Sequence, residues 1–238
     1  MQIKCDDRQK MNTLNAIKRS NLVSGPVRRI GVQSRSITGT MPNGNRYESA
    51  LERDFMILMQ FDAAVDVYTP QPLTLNYVDE TGKARRYTPD GLIEWRRDRP
   101  VHDPRPVLVE IKYREDFKGK WREWRARARA AKKLAHENGW IFSIQTERDI
   151  RTPLLETATF LLPYLRRSEA PEIEEWMLNR LADLVEATPR ELCESLYQNK
   201  RNQAALISVM WRLLAERRIG FDVAQPLTMS ATIWSLKA

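Results

Sequence analysis

Asp90, Glu110 and Lys112 are the residues of this 238-residue chain whose types and spacing point most directly to chemistry. Asp90 follows Pro89 in the only Pro-Asp dipeptide of the chain, and Glu110 and Lys112 flank Ile111 in the stretch Val107-Leu-Val-Glu-Ile-Lys112. Read as a strand, that stretch alternates: Leu108, Glu110 and Lys112 share one face, Val107, Val109 and Ile111 the other. An acid and a lysine in an otherwise apolar strand are costly to bury without a compensating partner. A divalent cation is such a partner. Asp90 and Glu110 offer the hard carboxylate oxygens that Mg²⁺ takes, an ion that usually keeps several waters. Lys112 is a compact point charge, suited to orienting a water or neutralising developing negative charge.

Neither short pattern is specific by itself. Asp116-Phe-Lys118 repeats the acid-x-Lys spacing in a charged turn, where solvation explains it. Together, on consecutive strands joined by a loop, Pro89-Asp90 and Glu110-Ile-Lys112 form the PD-(D/E)xK arrangement of metal-dependent nucleases. The plainer alternative is two strands with edge charges. A further acid comes from Tyr47-Glu-Ser-Ala-Leu-Glu-Arg-Asp54, where Glu48 and Glu52 are four apart and share a helix face. Taken alone, that pair reads as solvent-exposed.

The elements that must position these residues follow from periodicity. Leu51, Phe55, Leu58 and Met59 recur at helical spacing over 47–61, with Asn43-Gly-Asn45 as the turn before the helix. Leu73–Val78 and Arg85–Trp95 alternate as strands around the hairpin turn Asp79-Glu-Thr-Gly82, which puts Asp90 inside the second strand. Residues 96–106 carry three prolines and read as a loop. Val107–Tyr113 is a buried strand, 117–138 a helix ended by Asn138-Gly139, and Trp140–Gln145 another strand. This order describes an α/β domain with a mixed sheet.

The remainder reads as a second module. Residues 171–187 form an amphipathic helix, and Thr188-Pro-Arg-Glu191 is a complete capping box for a second helix to about Tyr197. A third helix spans 203–216, and 219–223 can pair with 231–236 as a hairpin. Three helices followed by a hairpin read as a winged helix. The resulting division is a basic arm at 1–45, a catalytic domain at 46–165 and a winged-helix domain at 166–238.

Charge points to a polyanionic partner. The formal net charge is +8, and residues 166–238 are neutral with ten charges of each sign, so the whole excess lies in 1–165. It concentrates in 1–36, with eight basic residues against two acidic, and in 112–133, with ten against three. Within the latter, Arg122, Arg125 and Arg129 form a stripe preceded by Lys118 and Lys120, and two readings stand: phosphate contact or a solvated face. Trp121 and Trp124 either stack on nucleotides or pack the helix onto the sheet. Cys5 and Cys193 are far apart, so a reducing compartment is expected and a disulfide framework is not. His102 and His136 with two scattered cysteines form no zinc pattern. Neither a secretory signal nor a membrane span is expected from the charged start and the short apolar runs.

Five stretches, 47–54, 61–72, 86–94, 107–116 and 140–150, resemble in order the TnsA family, the endonuclease subunit of heteromeric bacterial transposases, including those of CRISPR-associated transposons. The resemblance implies a restriction-endonuclease-like fold and Mg²⁺-dependent cleavage of the 5′ strands at transposon ends, with Mn²⁺ substituting. It implies double-stranded DNA, a TnsB-type DDE transposase and a TnsC-type AAA+ ATPase as partners, no membrane, and the bacterial cytoplasm, at the nucleoid when active. By position, Glu52, Asp90 and Lys112 match the family's catalytic acid, acid and lysine, and Glu110 the acid of the (D/E)xK element. The same match makes Asp90, Glu110, Glu52 and the Ile111 carbonyl the metal ligands, with Gln71 assisting metal or substrate. The tail resembles the family in architecture rather than motif, and its 166–238 region is expected to bind protein partners. Rival readings are a stand-alone restriction or repair nuclease of the same fold, and an assembly factor with an inert site.

Overall fold

The structure, a computed structural model, describes residues 38–196 and 200–236, with the side chains of 118–120 and 200–205 outside that set. Most of the expected basic arm, with Cys5, thus lies outside the described residues. Two compact units are present. One comprises the chain up to Arg53 together with Ala64–Glu147, the other Asp54–Ala63 together with the chain from Arg148.

The first unit opens with a two-stranded hairpin, β1 (Gly39–Thr40) and β2 (Arg46–Tyr47), closed where Gly44 adopts φ 88°. Asn43-Gly44 is therefore a hairpin turn, not the entrance to a helix. Helix α1 (Ala50–Phe61) starts instead after Ser49. The Ser49 hydroxyl accepts the Glu52 N–H at 3.1 Å and donates to the Glu52 carboxylate at 2.9 Å, while Glu52 also takes the Glu48 N–H. This is a capping box shifted by one residue at its return bond.

Next come β3 (Val65–Pro70), β4 (Leu75–Val78), β5 (Ala84–Tyr87), β6 (Gly91–Trp95), β7 (Val107–Ile111), α2 (Arg114–Glu137) and β8 (Ile141–Gln145). The main sheet runs β3-β6-β7-β8, antiparallel except for the parallel pair β7–β8, so it is mixed as expected. The second strand of the expected hairpin divides. Ala84–Tyr87 pairs with β4, whereas Gly91–Trp95 joins the main sheet. Pro89 cannot donate to a ladder, and the chain changes sheets there, leaving Asp90 between two strands rather than within one. Strand β3 went unread in the sequence because Asp66 and Thr69 interrupt its apolar residues. Helix α2 covers the Leu108 face of β7 with Ala131 and Ala135, all essentially inaccessible, and ends at Gly139 with φ 69°.

In the second unit, α3 (Glu147–Ile150) leads in from Glu147 of the first. There follow α4 (Pro153–Leu161), a 3₁₀ turn (Leu162–Arg166), α5 (Pro171–Leu184), β9 (Glu186–Ala187), α6 (Pro189–Leu196), α7 (Lys200–Ala215), β10 (Ile219–Phe221) and β11 (Ile233–Ser235). The strands form an antiparallel sheet of order β10-β11-β9. Thr188 and Glu191 make the reciprocal bonds of a capping box, at 2.7 and 3.2 Å. The core joins Leu181, Leu192, Met210, Leu213 and Ile233 to Ala158 and Leu161, and to Phe61 at the end of α1. Those contacts make the compact unit begin at Arg148 and take in part of α1, whereas the sequence reading began the second domain at residue 166. Cys193 is part of this core, 3% exposed. Arg212 is buried too, its guanidinium 2.7 Å from both Glu174 and Glu216.

Candidate active site

Asp90 sits one step beyond the last β6–β7 ladder pair, Gly91 with Val109. Its Oδ2 accepts the Ile111 N–H at 2.6 Å, satisfying a donor of β7 beyond the end of the β6–β7 ladder. Its backbone carbonyl accepts two bonds, from the Tyr68 hydroxyl at 3.2 Å and the Gln71 N–H at 3.0 Å. Gln71 reaches it from a backbone at φ 47°, sparsely populated by non-glycine residues, between Pro70 and Pro72. Both ends of Asp90 are thereby tied to β3 and β7.

Glu110 is 4% exposed, against an α2-covered face of the sheet. The Tyr87 hydroxyl donates to its Oε2, and Lys112 Nζ stands 3.8 Å from its Oε1. Glu52, Asp90, Glu110, Ile111 and Lys112 all line one cleft of about 690 Å³, as does Glu48. Glu48 is held by the Gln71 side-chain amide at 2.8 Å.

The electrostatics follow from three carboxylates in a shared, partly dry space. Burial pushes Glu110 up to about 7, against the Tyr87 hydrogen bond and the charges of Lys112 and Arg127. Burial, and then the charges of Glu110 and Glu52, hold Asp90 well above the usual carboxylate range. Burial likewise raises Glu52, although the Glu48 N–H and the Ser49 hydroxyl oppose it. Among the described residues, no group of three or more His, Cys, Asp or Glu side chains is spaced as a ready metal cage. The donor set nevertheless fits a hard divalent ion. The oxygens are carboxylate, they repel one another, and the charge they lack is positive.

Other sequence candidates are placed as follows. Arg122, Arg125 and Arg129 are exposed on α2, and Arg129 pairs with Glu80 at 3.1 Å. The Lys118 and Lys120 side chains are outside the described set. Trp124 is buried edge-on against Phe117, but Trp121 is 57% exposed, so packing accounts for only one of the two tryptophans. Sequence reasoning missed Tyr68, Tyr87 and Arg127. Arg127 carried a signal: its neighbours three back and four ahead, Trp124 and Ala131, are apolar.

Two family models match consecutive parts of the chain, one described as TnsA-like endonuclease N terminal over residues 62–147, the other as TnsA endonuclease C terminal over 149–223. The chain belongs to the TnsA family. No curated protein matches it. The TnsA-like N-terminal match contains Asp90, Glu110 and Lys112, while Glu48 and Glu52 precede it. The TnsA C-terminal match starts at residue 149, beside the structural boundary at Arg148. Among the described residues no helix is long and apolar enough to cross a membrane.

Proposed function

We propose that this TnsA-family chain is a Mg²⁺-dependent DNA endonuclease. It cuts the 5′ strands at transposon ends, together with a separate DDE transposase and an AAA+ regulator. The observation that carries the reading is the meeting of Glu52, Asp90, Glu110 and Lys112 on one cleft, although they come from a helix start, a strand junction and one strand. Asp90, Glu110, Glu52 and the Ile111 carbonyl would hold Mg²⁺ or Mn²⁺. Bound there, a divalent ion supplies positive charge against phosphodiester oxygens and makes a water more acidic.

The residues themselves set the stage. The Ile111 N–H occupies Asp90 Oδ2 and the Tyr87 hydroxyl occupies Glu110 Oε2, so each acid keeps its other oxygen clear of those bonds. Lys112 lies beside Glu110 Oε1, where its ammonium can steer the attacking water or stabilise charge on the scissile phosphate. Arg122, Arg125 and Arg129, with Lys118 and Lys120, would hold DNA farther out.

From α5 onward the C-terminal unit runs helix–strand–helix–helix–strand–strand, an order that supports a winged-helix reading. Its proposed role is to dock the ATPase, and the transposase as well. Among the side chains described on α7, Arg212 is the one cation, and it is buried on carboxylates rather than offered to base edges.

Nicking of supercoiled plasmid in Mg²⁺ or Mn²⁺, with and without the transposase, tests the activity. Asp90→Ala and Lys112→Ala should abolish nicking and leave DNA binding nearly intact. Losing a metal ligand removes several kcal/mol of transition-state stabilisation, orders of magnitude in rate. Asp90→Ala nicking at the wild-type rate would overturn the assignment. A charge placed at exposed Trp176 or Trp234 should weaken ATPase association without changing DNA affinity.

A further inference from the structure

Arg127 is an arginine within α2 that the solvent stripe leaves out. Trp124, Ala131 and Ala135 mark one buried face of the helix at 3%, 0% and 1% exposure, and Ala126, 6% exposed, is buried on another side. Arg127 lies within about 60° of Trp124 and 40° of Ala131 around the helix axis, at 100° per residue. By the same geometry Arg122, Arg125 and Arg129 fall roughly opposite. An arginine on the inward face of a helix needs somewhere to put its charge, and this one lines the cleft that holds Glu52, Asp90 and Glu110. Its side chain is 37% exposed, neither free in solvent nor sealed.

Its protein partners are light. Nε donates to the Tyr77 hydroxyl on β4 at 3.3 Å, and Nη2 stands 3.9 Å from Glu123, whose side chain is 67% exposed. An exposed pair one helical turn apart at that distance contributes little. The Tyr77 bond uses the inner nitrogen and fixes the plane of the guanidinium, the part of arginine whose planar fork matches two oxygens of one phosphate. With Lys112 and Arg86, Arg127 completes the cations on the cleft wall. A DNA backbone brought to three carboxylates is repelled unless such charges meet its phosphates.

We propose that Arg127 grips a DNA phosphate beside the scissile bond, anchored in its plane by Tyr77. The inference rests on the nuclease reading of the cleft and deepens it. The stripe on the outer face is then a second, separate contact. The competing role is that of a fixed counter-ion to the acids, which would involve no contact with DNA.

The two roles separate in the salt dependence of DNA binding. The full-length chain is titrated onto linear duplex DNA by fluorescence anisotropy across a KCl series, with Ca²⁺ at fixed concentration in place of Mg²⁺, and plasmid nicking is measured in parallel. Arg127→Gln should lower the log–log salt slope by about 0.9, the value for one phosphate contact, and Arg127→Lys should keep it. Arg127→Met keeps the apolar stem and takes the place of the Gln variant if that one does not fold. An unchanged slope in a folded Gln or Met variant overturns the contact, whatever happens to nicking. A wild-type chain that never nicks, with the transposase present or absent, but whose slope falls on substitution, overturns the nuclease reading and leaves the phosphate contact standing.

Discussion

Replacing Glu110 with glutamine should remove a specific pH dependence of stability. In the metal-free fold burial holds Glu110 at about 7, whereas its ordinary value is 4.5. Below that ordinary value, folded and unfolded chains both carry the proton and the group is neutral to stability. As pH rises, the unfolded chain releases the proton first and the folded chain keeps it until its own higher value. The fold therefore loses stability progressively across this window, and the loss is complete once pH exceeds the folded value. A difference of this size corresponds to about 3 kcal/mol, at 1.36 kcal/mol per pKa unit. Urea unfolding in EDTA at closely spaced pH values, from the acid limit of the window to above neutral, gives the curve. Wild type should lose on the order of 3 kcal/mol more than Glu110→Gln over that range. Saturating Mg²⁺ at the alkaline end should restore stability to wild type and much less to the variant, because a ligand of the folded state stabilises it by mass action. Parallel pH curves for the two proteins would refute the account of a buried, proton-hungry acid.

Three further outcomes follow from the packing and the charge. Substituting Arg122, Arg125 and Arg129 together with glutamine should lower the DNA salt slope by about 2.7, measured by anisotropy, and an unchanged slope would assign the stripe to solvation. Phe61→Ala, at a site 3% exposed in the C-terminal core, should cost about 3–5 kcal/mol in denaturant unfolding. Arg212→Met should cost about 1–3 kcal/mol in the same assay, because buried Glu174 loses one of its two arginine partners and keeps Arg218.

The strand that bears Glu110 and the helix packed on it were legible because their signals are local. Alternation in Val107–Ile111, the Asn138-Gly139 stop and the Thr188 box each depend on a few adjacent residues. What escaped depends on residues distant in sequence. The split of 85–95 between two sheets is set by where β4 and β7 lie, and Pro89 announces a break without saying which partner each half takes. The bonds that fix Asp90 come from Tyr68, Gln71 and Ile111, none of which is marked by spacing. The arginine stripe left Arg127 out for a related reason. Helical periodicity finds a face, but only the packing of Ala131 and Ala135 on Leu108 says which face looks inward.

Helix α1 gives its first four residues to one compact unit and the rest to the other, and Ile57, Leu58 and Phe61 pack into the C-terminal core. The C-terminal unit is thus encoded in two separated pieces, with the segment bearing Asp90 and Lys112 between them. A single genetic crossover after residue 147 would deliver a foreign tail onto a resident Phe61 that it did not evolve against. The role of the C-terminal unit cannot be traded by swapping an end. It changes through a double exchange or through compensating substitutions at 57, 58 and 61, so the nuclease and its tail should be inherited as one linked block.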